Sequence, residues 1–174
     1  ANPIQEIQLR TGRYALILLM LSLTPTPIHK LTGLTQVLAL RRTLGLYAFV
    51  YTCLHLLNFV GLDYGFNLAW LWADISEKRY VVVGFGAFLI LLILAITSTR
   101  GWKQRLDRNW KRLHRLVYIG GALAVLHYLW QVKLDLRAPL IYGAIIVLLL
   151  LLRIPKVGEA AGKLFKRRSN EPRE

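Results

Sequence analysis

YVVVGFGAFLILLILAITST, residues 80–99, runs for 20 positions without one charged side chain. At about 1.5 Å per residue, a helix of this length crosses a hydrocarbon layer of about 30 Å. The apolar residues are continuous rather than alternating, and backbone polar groups in lipid must be satisfied within their own segment, so the reading is a helix and not a barrel strand. Working outward, residues 43–62, 113–132, 139–153 and, with a shorter apolar core, 9–28 read the same way. Arg10 and Arg13 stand at the entrance of the first span and Pro25 and Pro27 at its exit, while Pro139 suits the first turn of the last. The expected fold class is all-α, a polytopic membrane helical bundle of five transmembrane helices over residues 1–158. Residues 159–174 read as a basic cytoplasmic tail lying on anionic lipid.

Composition agrees. The 174 residues are 55% hydrophobic and 18% charged, which excludes a disordered chain and an ordinary soluble one. The 23 Lys and Arg against 9 Asp and Glu leave a formal charge of +14, and with apolar blocks between them they mark basic membrane-protein loops rather than a nucleic-acid binder. A single cysteine, Cys53, excludes an intramolecular disulfide framework and any multi-cysteine iron–sulfur or zinc site. Cys53 and Met20 read as packing residues, and Trp70, Trp72, Trp102, Trp110 and Trp130 as interfacial anchors. No internal repeat is visible in the string of residues.

Of the 23 basic residues, 17 fall in the first and third connections and in the tail, which makes that side cytoplasmic and sets the first span's start outside. A longer relative then has room for one more helix before Ala1. The seven basic residues from Arg100 to Arg115 serve topology and, equally, suit docking of an acidic cytoplasmic donor.

Chemistry is expected at the histidines, because an ionisable group within a span is costly and is a functional candidate by default. His55 and His127 sit at matching depth, toward the outer face, on the second and fourth spans, which run in the same direction. Two such imidazoles ligate one haem iron from opposite sides; the bland alternative for either alone is a hydrogen-bonded packing residue. His114 falls near the cytoplasmic boundary as a candidate ligand of a second, inner haem. Its expected partner position on the second span is taken by Arg41 and Arg42. Arg41 stands 14 residues before His55, within about 40° of the same helix face, where a guanidinium serves a haem propionate or a flavin phosphate rather than iron. His29, after two prolines, reads as a solvated loop residue.

Several motifs carry a resemblance: Thr11-Gly12-Arg13, Arg41-Arg42-Thr43-Leu44-Gly45-Leu46, Leu54-His55-Leu56, Thr97-Ser98-Thr99, Trp110 with Leu113-His114 and Val117-Tyr118, and His127-Tyr128-Leu129-Trp130 with Val132-Lys133. Through nearly its whole length the chain resembles the MsrQ (YedZ) family, haem-binding membrane subunits of the bacterial periplasmic methionine sulfoxide reductase system, within the ferric-reductase-like transmembrane superfamily. The resemblance implies b-type haem at His55, His114 and His127; at Arg41 and Arg42 the chemistry of the residues leaves FMN as the alternative to a second haem. The resemblance also implies a bacterial inner membrane, electrons from a cytoplasmic flavin reductase or quinol, and delivery to a periplasmic molybdopterin-containing enzyme that repairs oxidised methionine. Members usually have six helices, of which this sequence lacks the first. The alternative is a haem b subunit of a ferric reductase or of a larger respiratory or photosynthetic complex.

The orientation is testable. In a Cys53→Ser background, a cysteine at Asn109 is expected to resist impermeant thiol reagents in intact cells and one at Asp135 to react; the reverse pattern inverts the topology.

Overall fold

The computed structural model describes residues 2–132, 135–154 and 157, so the expected tail at 159–174 lies outside the described residues. Helix α1 (Pro3–Leu23) begins earlier than hydropathy predicts, because its first turn is well capped. The Asn2 side chain accepts the Ile4 N–H at 3.1 Å, Pro3 presets the helical φ, and Glu6 faces the positive end of the helix. Thr24, itself helical in φ and ψ, joins α1 to α2 (Pro25–Thr32), which ends at Gly33 with φ 80°. Pro25 and Pro27, expected to close a span, instead open a helix, since proline is tolerated in a first turn. His29 accordingly lies in the last turn of α2 rather than in a loop, with Nδ1 3.2 Å from the Leu34 carbonyl oxygen.

A 3-10 turn, Gln36–Ala39, leads into α3 (Leu40–Leu57), whose end widens into a π-helical segment, Asn58–Asp63. Helix α4 (Leu68–Glu77) has no counterpart among the predicted spans. The Asn67 side chain starts it by accepting the Ala69 and Trp70 N–H groups, and Trp70 and Trp72 remain exposed, as interfacial anchors do. Next come α5 (Arg79–Ile96), α6 (Arg100–Leu113), α7 (Leu116–Gln131) and α8 (Arg137–Leu151). Helix α6 occupies the basic third connection and kinks at Asp107, where φ is 40°.

Among the described residues, three helical stretches are long and apolar enough to cross a membrane: Pro3–Thr32, Gln36–Asp63 and Arg79–Ile96. Helices α7 and α8 are apolar but shorter, at 16 and 15 residues. Helix α1 packs along α3 and α5 along α7; α3 also touches α5, and α8 covers α7. One core cluster joins Leu19, Ala48 and Leu91, and another joins Leu16, Met20 and Ile146, which confirms Met20 as a packing residue. Lipid removes the hydrophobic drive between helices, so close approach at small residues has to hold the bundle. Ala48 is fully buried against α1, and a Cβ on Gly120 would lie 3.1 Å from Ile90 Cγ2. Ile141, Val147 and Leu148 stay exposed on α8, a face suited to acyl chains.

Ala48→Leu is therefore expected to destabilise the protein by about 1–3 kcal/mol through overpacking. Ile141→Ala, on the exposed face, is expected to stay within about 0.5 kcal/mol of wild type. Thermal unfolding in detergent checks both.

Candidate functional site

Helices α3 and α7 bring His55 and His127 together, with ring centroids 6.1 Å apart and planes at 87°. Each ring is held by a backbone carbonyl of the helix beside it. His55 Nδ1 lies 3.0 Å from the Gln8 carbonyl oxygen of α1, and His127 Nδ1 lies 2.7 Å from the Tyr80 carbonyl oxygen of α5. A carbonyl only accepts, so both Nδ1 atoms carry the proton and both Nε2 atoms keep a lone pair.

A helical carbonyl is reachable from the side only where no side chain one turn further on blocks the approach. Glycine stands four residues after each acceptor: Gly12 after Gln8 and Gly84 after Tyr80. A Cβ on Gly12 would fall 2.9 Å from His55 Cε1, and one on Gly84 would fall 2.5 Å from His127 Nδ1. The arrangement occurs twice with one spacing, each acceptor preceding its histidine by 47 residues. An offset of 72 carries Gln8 to Tyr80, Gly12 to Gly84 and His55 to His127. The duplication is therefore one of helix geometry, which explains why the string of residues shows no repeat.

Further polar groups gather at His55. Thr11 Oγ1 lies 3.5 Å from Nδ1, and the Gln8 amide nitrogen lies 3.4 Å from Nε2. Buried Asn58, in the π-helical segment, donates to Gln8 Oε1 at 2.5 Å and so fixes that amide. The donor set fits a group that takes two neutral imidazole nitrogens: the ring centres are 6.1 Å apart and each ring keeps Nε2 as its acceptor. Among the described residues no group of three or more His, Cys, Asp or Glu assembles.

His114 lies at the other end of α7, away from this pair. The Thr97 hydroxyl donates to the Ile93 carbonyl at 2.7 Å, so its oxygen accepts from His114 Nε2 at 3.1 Å and leaves Nδ1 with the lone pair. The His114 ring stacks on Trp110 at 3.9 Å, and Trp110 Nε1 donates to the Thr97 carbonyl at 2.8 Å. Trp110, expected among the interfacial anchors, is thus a clamp between α6 and the end of α5. Arg41 stands within electrostatic reach of His114, Tyr118 and Arg153. Arg42, one residue on, turns instead to an open groove with Thr43, Leu46, Tyr47 and Val50. Sequence reasoning missed Gln8, Asn58, Tyr80, Gly84 and Arg153. Only Gly84 carried a signal, a small residue inside an uncharged span.

The sequence model of the family described as "Ferric reductase like transmembrane component" matches residues 11–125. A relative from Xanthomonas axonopodis pv. citri (strain 306), named "Protein-methionine-sulfoxide reductase heme-binding subunit MsrQ", is 46% identical over 172 residues, covering 99% of this chain and 78% of its own. The chain belongs to the MsrQ family. A relative of the same name from Rhodospirillum rubrum is 48% identical over 155 residues, covering 88% of this chain and 74% of its own. No solved structure matches the chain. For this MsrQ-family chain, membership and the apolar helices together establish a multi-pass membrane protein.

In an ordinary helix Gly→Ala stabilises by about 1 kcal/mol. Gly84→Ala is expected to do the opposite, costing about 1–3 kcal/mol as the new methyl displaces the His127 ring. Gly143→Ala, whose Cβ would meet Val125 at an ordinary 3.4 Å, is the control. Thermal unfolding of the two variants reads the sign.

Proposed function

We propose that this chain carries electrons across the bacterial inner membrane through b-type haem. On this reading the donor is a cytoplasmic flavin reductase or a quinol, and the acceptor is a periplasmic molybdenum-dependent methionine sulfoxide reductase. The observation that carries the reading is the His55–His127 pair: two rings 6.1 Å apart, each with Nδ1 on a backbone carbonyl and Nε2 as its acceptor nitrogen. The relatives' name, heme-binding subunit of a protein-methionine-sulfoxide reductase, supports it.

When bound, haem supplies a one-electron couple inside a layer where a mobile charged carrier is costly. The protein does the rest. His55 and His127 would hold the haem through Nε2, and the Gln8 and Tyr80 carbonyls draw on the Nδ1–H groups, which would make the imidazoles more basic donors and favour the oxidised metal. Gly12 and Gly84 keep the rings close enough to reach those carbonyls. At the inner end His114 offers Nδ1, and Arg41 and Arg42 offer cations to the propionate of a second haem or to the phosphate of FMN. The exposed Arg100, Lys103, Arg105, Arg108, Lys111 and Arg112 of α6 steer an acidic donor to the cytoplasmic face, on which the C-terminus also lies. The matched ferric-reductase-like description favours one second reading, a haem b subunit that reduces iron, and the identity of the acceptor separates the two.

His55→Ala and His127→Ala are each expected to abolish the low-spin b-type spectrum of the purified protein, while His114→Ala leaves that spectrum in place and alters only a second centre. Full haem content with an unchanged spectrum in both His55→Ala and His127→Ala overturns the reading.

A further inference from the structure

Arg153 follows the end of α8 and, in the sequence, counts only as one more topological charge. The structure ties it into the bundle. Its Nη1 donates to the hydroxyl of Tyr118 on α7, Nη2 donates to the Leu23 carbonyl at the end of α1 at 2.9 Å, and the guanidinium lies over the Tyr118 ring, 5.0 Å from its centroid. Nε is buried without a hydrogen-bond partner. Lys30 of α2 donates to the Arg153 carbonyl oxygen at 3.0 Å, and Arg41 of α3 stands within electrostatic reach.

Arg153 thus ties the end of α8 to α1 and α7, with Lys30 on its backbone carbonyl and Arg41 near enough to interact electrostatically with it and with Tyr118. Among the described residues neither arginine has a carboxylate within ion-pair distance, and the acidic residue of α6, Asp107, is exposed beside Arg108 at 3.9 Å. A guanidinium holds five N–H donors in a fixed fork; two of Arg153's groups are engaged, and the buried Nε–H is not. A buried guanidinium donor without a partner, with a second arginine in electrostatic reach, is costly unless a counter-ion neutralises the charge and accepts the hydrogen bond. The group that suits two planar forks is an oxyanion, which accepts two parallel N–H bonds at once.

We propose that Arg153 and Arg41, framed by Tyr118, form a binding site for an oxyanion, a carboxylate or phosphate group presented at the inner end of the bundle. The proposal rests on the inner-site reading of Arg41 and adds the residues that complete the site. A haem propionate, a flavin phosphate and a phospholipid headgroup all carry this chemistry, and three arms of one experiment separate them.

The full chain, wild type and with Arg153→Gln, Arg153→Lys or Arg41→Gln, is purified and tested for binding of three probe pairs. The pairs are haem against haem dimethyl ester, FMN against riboflavin, and phosphatidylglycerol against phosphatidylcholine in nanodiscs, read by absorbance, fluorescence and native mass spectrometry. In wild type, the anionic member of one pair is expected to bind more tightly than its neutral counterpart. That preference is expected to fall about tenfold in Arg153→Gln and in Arg41→Gln, with the His55–His127 spectrum retained. Arg153→Lys keeps the charge and loses the fork; it is expected to lose part of the preference, and it reports alone if Arg153→Gln does not fold. Equal preference in wild type and every folded variant, for all three pairs, overturns the proposal. A wild type that binds no haem defeats the haem reading instead and leaves the flavin and lipid arms readable.

Discussion

Two hydrogen bonds from imidazole Nδ1–H to helical carbonyls set the rest of this structure. A carbonyl inside a helix already accepts its own i+4 N–H, and a second donor reaches it only from the side, across a surface with no Cβ one turn on. The demand for Gly12 and Gly84 follows directly, because a Cβ at either position would enter the ring. So does the pairing of helices: α1 must lie along α3 and α5 along α7 for the donors to meet Gln8 and Tyr80. The tautomer follows as well, and with it an Nε2 lone pair on each ring, the one on His55 facing the Gln8 amide. The bonds also answer what buries two imidazoles in an apolar bundle without charging them, since each neutral ring satisfies its donor internally.

The two ends of the bundle solve the polar problem in different ways. At the His55–His127 level every partner is neutral: two carbonyls, the Gln8 and Asn58 amides and the Thr11 hydroxyl. Toward the His114 end cations enter: Arg41 within electrostatic reach of His114 and Arg153, Arg153 on the Tyr118 hydroxyl and the Leu23 carbonyl, and Lys30 on the Arg153 carbonyl. A neutral pocket suits a group whose own charge is small and centred. A cationic one suits an anionic edge, so the two ends of the bundle differ in the charge they would favour.

The apolar blocks were legible because hydropathy sums a transfer free energy over about 20 residues, and that sum decides whether a segment enters lipid. Helix ends were less so. Asn2 and Pro3 extend α1 through Gln5, Glu6 and Gln8, residues that lower hydropathy yet leave helical geometry intact. Helices α4 and α6 escaped a search for spans because caps at Asn67 and Thr99 start them, not apolar burial. The histidines were legible by type and spacing, and the structure joins the predicted pair. Their acceptors were not, because any residue has a carbonyl and Gln8 and Tyr80 contribute nothing peculiar to their side chains. Arg153 was hidden for the opposite reason: a basic residue at the end of a span is what topology alone requires, and only its contacts with Tyr118 and Leu23 set it apart.

Trp110 joins the surface to this interior. Helix α6 carries six of the chain's basic residues on exposed positions and is kinked at Asp107, so its two halves are not one rigid rod. Its second half is anchored at Trp110, which donates to the Thr97 carbonyl while its ring stacks on His114. Thr97 in turn accepts from His114 Nε2, closing a ring of three side chains between the ends of α5, α6 and α7. A body that docks on the basic face therefore presses on a helix whose inner contact is the histidine at the inner site. The tryptophan that seals this junction against solvent also places an aromatic surface 3.9 Å from the imidazole. His114 thus stands where the basic helix meets the bundle, with Arg41 close enough to feel its charge, while the His55–His127 pair lies further along α7.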